Sequence, residues 1–262
     1  MQLDRSFLDR ALRVAQRAAD AAAAIVAPRY AAQDFSVITK DDLTPVTQAD
    51  RDAESAIRSV LLDAFPEHAV FGEEEGRTGD SEFLWLVDPI DGTKSFVRGY
   101  PFFSTQIALM VEGEIVVGVS DACVYGERAW AVRGGGAFVN GKPIRASNAD
   151  VFDHRVAIST GNIKSLAADA ARWQALSDLI QRVGRVRGYG DFVHYHLLAR
   201  GAIDLVVESD LNILDVAALS LIVEEAGGVF TQLDGSAVDL NMCSVLAGTP
   251  ALHAQALDMF RA

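Results

Sequence analysis

Phe83-Leu-Trp-Leu-Val-Asp88-Pro-Ile-Asp91-Gly-Thr93-Lys-Ser-Phe96 decides how the rest of the chain is arranged. Five apolar residues, bounded by a polar segment and then Asp-Pro, read as a buried strand that stops at Asp88. Pro89 cannot donate to a ladder and drives Asp88 out of the helical region, so the carboxylate is delivered at the strand tip. Asp91 follows one turn later. Asp-Gly is a turn signal, and Thr-Lys-Ser-Phe can open a helix, which leaves the amides of Gly92 and Thr93 free. Acid groups that hold cations then converge with amides that hold an anion, as a metal-assisted phosphate site requires. A plainer reading of the same stretch is a strand, an Asx-type turn and a helix cap with no chemistry.

Upstream, Val70-Phe-Gly72-Glu73-Glu74-Glu75-Gly76 brings three consecutive acids to within about ten residues of the strand. Alternation at a strand end would send Glu73 and Glu75 to one side and Glu74 to the other. Most charge runs are solvated faces. Here the reach to the carboxyl end of the buried strand makes Glu73 a candidate ligand, with Glu74 behind it. Earlier still, Thr47-Gln-Ala-Asp50 is a capping-box pattern opening a helix with Ala53, Ile57, Val60 and Leu61 on its buried face. Asp50 is a cap on that pattern; the alternative is that it helps orient an attacking water through a hydroxyl. Between the first helix and this one, Asp34 to Pro45 lacks periodicity and carries Lys40, Asp41 and Asp42, which suggests a mobile loop or hairpin able to close over a site. The first helix itself, with Phe7, Ala11, Val14, Ala18, Ala22 and Ile25 at steps of three and four, is expected to end before Pro28.

Downstream, Thr105 to Val111 and Ile115 to Val119 flank Glu-Gly-Glu and read as a hairpin. Val132 to Gly136 and Ala137 to Ile144 give a further strand pair closed by Asn140-Gly141. The three glycines Gly134 to Gly136 lack the context of a nucleotide loop and suggest a bulge. Residues 1–146 are thus helices plus an antiparallel sheet. Residues 147–262 alternate: strands at Val156 to Ser159, Ile203 to Val207, Gly228 to Gln232 and Ser244 to Ala247, helices at Leu166 to Val183, Val216 to Ala226 and Ala251 to Phe260. The two halves are expected to share a broad interface as one compact unit. Glu208 ends one strand and Asp215 opens the next helix, where the dipole favours an acid and where clefts are also built. His194 and His196, two apart on a helix, face different ways and read as packing or surface.

With 23 basic and 36 acidic residues the net charge is −13, which disfavours nucleic acid and anionic membrane as partners. An anionic substrate would have to be held by metal ions. Cys123 and Cys243 are far apart, without zinc-type spacing, and suggest reduced thiols. The charged N-terminus, with Asp4, Arg5, Asp9, Arg10 and Arg13, does not read as a signal peptide, and the uncharged runs are too short to span a bilayer. The expected location is cytoplasmic.

Taken together, Gly72-Glu73-Glu74, Asp88-Pro-Ile-Asp91-Gly-Thr93, Gly134-Gly-Gly-Ala-Phe-Val-Asn-Gly-Lys-Pro, and Glu208 followed by Asp215-Val-Ala-Ala resemble the inositol monophosphatase family over nearly the whole chain. Thr93-Lys94-Ser-Phe-Val-Arg98-Gly99, Gly190-Asp191-Phe192 and Leu219 are most similar to its histidinol-phosphate phosphatase branch. The resemblance implies an α+β fold, a layered αβαβα sandwich of the inositol monophosphatase and fructose-1,6-bisphosphatase type, commonly a homodimer, and a lithium-sensitive phosphomonoesterase using Mg²⁺, or Mn²⁺ in its place. Two to three ions are implied, held by Glu73, Asp88, the carbonyl of Ile90, Asp91 and Asp215. Asp50 and Thr93, with Glu74, would form the catalytic set and direct water onto phosphorus without a phosphoenzyme. Ile90, Asp91, Gly92, Thr93 and Asp215 would also meet the substrate, and Gly190, Asp191 and Glu208 would line the pocket for its organic part. An all-oxygen set of this kind suits a hard cation and not zinc. Asp191 and Glu208 suit the cationic groups of histidinol phosphate. One departure stands out: the family usually has Trp before its C-terminal metal aspartate, and here the residue is Leu214.

Three rival readings stand beside this one. The same chemistry could serve inositol 1-phosphate or a broad range of sugar-alcohol phosphates. Asp-Gly-Thr-Lys also occurs in 3′-phosphoadenosine phosphatases, but a basic pocket for that substrate is not evident. A regulatory protein that acts through protein contacts is the rival from another class, and the complete set of metal acids argues against it.

Overall fold

The computed structural model describes residues 4–33, 37–39 and 45–261. In chain order the elements are α1 (Arg5–Ala32), β1 (Val37–Thr39), β2 (Pro45–Thr47), α2 (Gln48–Ala64), β3 (Ala69–Gly72), β4 (Gly76–Thr78), β5 (Phe83–Asp91), α3 (Thr93–Val97), β6 (Ser104–Val111), β7 (Glu114–Ala122), β8 (Glu127–Val132), β9 (Ala137–Val139) and β10 (Lys142–Ile144). There follow β11 (Ala157–Thr160), α4 (Lys164–Ala168), α5 (Ala170–Ile180), β12 (Arg185–Arg187), α6 (Asp191–Ala199), β13 (Leu205–Ser209), α7 (Ile213–Glu225), β14 (Val229–Thr231), β15 (Ser244–Gly248) and α8 (Pro250–Arg261).

Eight strands form one sheet in the order β10-β9-β8-β7-β6-β5-β3-β4, and five form a second in the order β12-β11-β13-β15-β14. Alternation along β5 explains the layering. Trp85 and Val87 point into a core shared with α1 and α2, where Val14, Ala18, Ile57 and Leu61 are buried. Leu84 and Leu86 point the other way, into a core shared with α6 and α7 that includes Leu198, Leu219 and Ile222. A third core, with Ile158, Leu179, Val207, Leu246 and Leu252, joins the second sheet to α4, α5 and α8. The result is an αβαβα stack in which β5 is covered on both faces, and this is why it reads as a continuous apolar run. Each fully buried aliphatic side chain in these layers contributes about 1.5–3 kcal/mol relative to exposure.

Several elements differ from what periodicity suggests. β5 does not stop at Asp88 but continues to Asp91: Asp88 faces Gln106 and Asp91 faces Ser104, so one extra residue is accommodated as a bulge around Pro89. α1 runs through Pro28 to Ala32 because its last turn is held from outside. There Tyr30 packs on Phe96 and Phe103 and donates to the Gly99 carbonyl at 2.6 Å, and Arg29 pairs with Asp52. The helix expected from Leu166 to Val183 is broken at Asp169, whose carboxylate caps the amides of Ala171 and Arg172. Glu73 to Glu75 form the turn between β3 and β4, so strand alternation does not apply to them.

Gly134 to Gly136 make the β8–β9 turn, not a bulge within a strand, and the amides of Gly134 and Gly136 both donate to the Glu225 carboxylate at 2.8 Å. Strands β1 and β2 pair as the hairpin form of the loop after α1, while Lys40, Asp41 and Asp42 lie outside the described residues. Among the described residues no helix is long and apolar enough to cross a membrane. Both cysteines are free.

Candidate active site

The bulge in β5, the β3–β4 turn and the start of α7 meet at a cleft of about 350 Å³ lined by Glu73, Asp88, Ile90, Asp91, Thr93 and Asp215, among others. Asp88, Asp91 and Asp215 each offer a carboxylate oxygen within 4.8 Å of the other two. The bulge makes this possible. It turns Asp88 and Asp91 toward one place, the Asp88 carboxylate accepting the Ile90 amide at 2.9 Å and Thr105 tying down the Pro89 carbonyl at 2.8 Å. Asp215 lies in the first turn of α7, where its carboxylate accepts from the backbone and side-chain amides of Asn212 at 2.8 and 3.1 Å. Glu73 is fixed by its amide, which donates to the Val87 carbonyl beside Asp88.

Burial and like charge dominate the electrostatics. Asp88 is pushed well above the usual carboxylate range by burial, then by Glu73, Asp91 and Asp215. Burial, followed by Asp191, Asp215 and Glu208, does the same to Asp91. Asp215 is raised to about 7, again mainly by burial, although the Asn212 amide opposes it. Acids crowded in this way cannot all ionise without a compensating charge. An all-oxygen set without cysteine or histidine fits a hard divalent cation, and the mutual repulsion of these carboxyls is what such an ion relieves.

Beside the acids, Gly92 sits at φ 89° as the cap of α3, and a Cβ there would come within 2.8 Å of the Phe102 carbonyl. Ser95 and Phe96 close the first turn on the Gly92 carbonyl, so the amides of Gly92 and Thr93 precede the hydrogen-bonded helix. The Thr93 hydroxyl lies 3.0 Å from the Ile90 carbonyl and 3.3 Å from Asp50 Oδ1. Asp50 is wholly buried, and its Oδ2 accepts the Thr47 amide and hydroxyl at 2.8 and 2.6 Å. Asp50 thus completes the α2 capping box and also touches Thr93, a geometry compatible with either reading. Burial raises its pKa against the opposing bonds from Thr47.

Next to Asp91 in the same cleft, Asp191 follows Gly190, the cap of α6, and accepts from Ser95 at 3.2 Å. Burial and Glu208 raise Asp191 to about 6. Glu208 reaches only a small adjoining cavity of about 30 Å³. Its Oε2 is bonded to His194 at 3.0 Å and to the Tyr195 hydroxyl at 2.6 Å, and its Oε1 accepts the Asn162 amide at 3.1 Å. Burial opposes its charge, but His194, Tyr195 and Asn162 more than offset that and leave the carboxyl below its usual range. Both histidines, expected as packing or surface, are buried polar partners. His194 joins Ser159 and Glu208, and His196 joins Ser120 and Glu127.

Of the predicted site residues, Glu73, Asp88, Ile90, Asp91, Gly92, Thr93, Asp191 and Asp215 line the cleft. Asp50, Glu74 and Gly190 are not part of its lining, and Glu208 lines the small cavity adjoining it. Leu214 is packed in the core at 4% exposure and is absent from the lining. Asn162, Asp210 and Asn212 line the cleft without having been singled out, because single polar residues in loops carry no spacing signal. Glu54 and Arg58 were also missed; their signal was a charged pair one turn apart next to Ala53 and Ile57 on the face expected to be buried.

Fold and site, together with the family match and the relatives, define a phosphoric monoester hydrolase. Residues 8–261 match the model of the inositol monophosphatase family, and the chain belongs to that family, which is metal-dependent. It is 42% identical over 233 residues to a histidinol-phosphatase of Mycobacterium tuberculosis, an overlap of 86% of this chain and 88% of that one. Among solved structures it is similar to the extragenic suppressor protein SuhB of Bartonella henselae, with a TM-score of 0.87 and 31% identity over 96% of this chain and 98% of that one. An inositol monophosphatase of Zymomonas mobilis has a TM-score of 0.84 and 32% identity, over 97% and 98% of the two chains.

Proposed function

We propose that the protein hydrolyses L-histidinol phosphate to L-histidinol and inorganic phosphate. The observation that supports the substrate class is an acid, Asp191, that lines the cleft without belonging to the cluster of Asp88, Asp91 and Asp215. A cationic alcohol would be favoured beside it, whereas a neutral polyol gains only an acceptor. The 42% identity to a histidinol-phosphatase supports this branch over the inositol-type relative at 32%.

Glu73, Asp88, Asp91, Asp215 and the Ile90 carbonyl would hold two to three Mg²⁺ ions, or Mn²⁺ in their place. When bound, these ions neutralise the ester oxygens and make water a better nucleophile. The remaining work falls to the chain. The amides of Gly92 and Thr93 receive the phosphoryl oxygens, and Lys94 on the cleft wall adds positive charge. The Thr93 hydroxyl donates to Asp50 Oδ1 or to the Ile90 carbonyl, which leaves its oxygen lone pair to accept a hydrogen bond from the attacking water; with Asp50 as the partner, the proton that water gives up passes through Thr93 to that carboxylate. Asp50, locked by Thr47, fixes that orientation. Water oxygen forms the new bond to phosphorus, the ester P–O bond breaks, and the leaving alkoxide takes a proton from a second water to become the hydroxyl of histidinol, the hydroxide so formed being neutralised by the proton the first water released.

Glu74 would act through the turn it shares with Glu73, and Glu208 through the bonds that seat Tyr195 and Asn162 beside Asp191. We take the working form to be a cytoplasmic homodimer, with residues 1–146 and 147–262 folding as one unit. The test is phosphate release with Mg²⁺ from histidinol phosphate, inositol 1-phosphate and 3′-phosphoadenosine 5′-phosphate at equal concentration. Strong preference for histidinol phosphate is expected; equal or faster turnover of either other ester would remove the substrate assignment and leave the chemistry.

A further inference from the structure

The β3–β4 turn carries three consecutive acids next to the cluster of Asp88, Asp91 and Asp215, a place where an unsupported loop would be driven outward by like charge. It is held from beneath by a glutamate. Glu54, on α2, is 0% exposed, and its two oxygens accept the amides of consecutive turn residues, Oε2 from Glu74 at 2.7 Å and Oε1 from Glu75 at 3.1 Å. One helical turn on, Arg58 donates to Glu54 Oε1 from Nε at 2.8 Å, to Thr78 from Nη1 at 2.9 Å and to the Gly76 carbonyl from Nη2. The approach leaves no room for a side chain at Gly72, where a Cβ would stand 2.1 Å from Glu54 Oε1. With the Glu73 amide on the Val87 carbonyl, three amides in succession are fixed, one by β5 and two by Glu54.

From this geometry we infer that the buried Glu54–Arg58 pair positions Glu73 against Asp88 and thereby sets the cation affinity of the site. The inference rests on the reading of Glu73 as a ligand. Glu54 is a positioning residue: it lies outside the cleft lining and acts only through the turn. Its carboxylate is suited to the task because both oxygens face N–H donors. In Glu54→Gln one of those oxygens becomes an NH₂ group pointed at a donor, and the turn loses an anchor with almost no change in volume. Arg58 supplies the charge that lets a carboxylate remain in so dry a place, and its planar fork ties β4 to α2 in the same step. Supporting groups of this kind are worth roughly 10–100-fold in metal affinity.

The test is Mn²⁺ binding to the purified full chain, followed by electron paramagnetic resonance of the free ion, alongside thermal unfolding. Four variants are compared with wild type: Glu54→Gln, Gly72→Ala, the double change Glu54→Met with Arg58→Met, and Asp91→Asn. The double change removes both charges together, so no buried ion is left uncompensated and the fold is retained even where the single change destabilises it. Expected are at least tenfold weaker Mn²⁺ binding in the first three and near-complete loss in Asp91→Asn, with the double variant unfolding close to wild type. A well-folded double variant that binds Mn²⁺ as tightly as wild type, while Asp91→Asn does not, overturns the positioning role alone. Tight binding in Asp91→Asn overturns the site reading beneath it.

Discussion

On the proposed reading Thr93 serves the chemistry and Asp191 the selection of substrate, and each role can be tested by one small substitution. Thr93 Oγ1 stands between the Ile90 carbonyl and Asp50, so Thr93→Ala removes the group that aligns water and leaves every metal-type carboxylate in place. Turnover is expected to fall by roughly 100-fold or more with the half-saturating Mg²⁺ concentration unchanged. Equal damage to both quantities, measured in a Mg²⁺ titration of the rate, would make Thr93 structural. Asp191 adopts φ 45°, a left-handed conformation that asparagine tolerates, so Asp191→Asn removes charge without removing the backbone shape. The kcat/KM for histidinol phosphate is expected to drop roughly 10–100-fold, as for a lost charge-assisted hydrogen bond, while a neutral polyol phosphate is affected little. A uniform fall on both esters would take the selection role away from Asp191. Because its pKa is raised to about 6, the same discrimination is expected to be fullest above pH 6 and to fade below it.

Caps and turns, more than regular segments, carry the site, and this governs how much of it can be read from the chain. α2 begins at a capping box in which Thr47 accepts the Ala49 amide and donates to Asp50, so one residue ends a strand, starts a helix and locks the Asp50 carboxylate. Thr47→Val is expected to cost about 1 kcal/mol of stability from the lost cap and in addition to slow turnover, because Asp50 loses one of its two bonds from Thr47. Chemical denaturation and steady-state rates on the same preparation check both, and a loss confined to stability would reduce Asp50 to a cap. Asp88, Asp91, Thr93 and Asp215 were legible because each stands where an apolar segment meets Pro, Gly or a helix start, and few residues other than ligands or caps are placed there. Glu54 was not, since a Glu-Arg pair four apart has the pattern of a solvated ion pair, and its place beside Ala53 and Ile57 marks burial without saying what the carboxylate holds. β12, three residues of Arg-Val-Arg at a sheet edge, offered no alternation long enough to read, and the break between α4 and α5 depends on one aspartate choosing a cap over a helical position.

At the scale of the molecule, five layers exist to hold acids together that would otherwise repel, and the cost of doing so has a sign that can be measured. Asp215, held by burial and neighbouring carboxylates at about 7, keeps its proton in the folded chain to a pH at which the unfolded chain, with an aspartate near 3.9, has long lost it. The folded state therefore binds more protons between those values. The stability this group contributes is present in full below about pH 4 and is lost as pH rises through about 7. Asp88 and Asp91, raised for the same reasons, act in the same direction. In a chelator, Asp215→Asn has no proton to lose, so its melting temperature is expected to gain on that of wild type as pH is raised from 4 to 8. Mg²⁺ is expected to reverse the comparison near pH 8, where it binds the ionised cluster of the wild type and stabilises it by mass action, and to do little near pH 4, where protons occupy the same oxygens. Melting curves of the two proteins that run parallel across this range, with and without Mg²⁺, would mean that the acids are not crowded in solution as they are in the fold, and the case for a cation site at Asp88, Asp91 and Asp215 would fall with them.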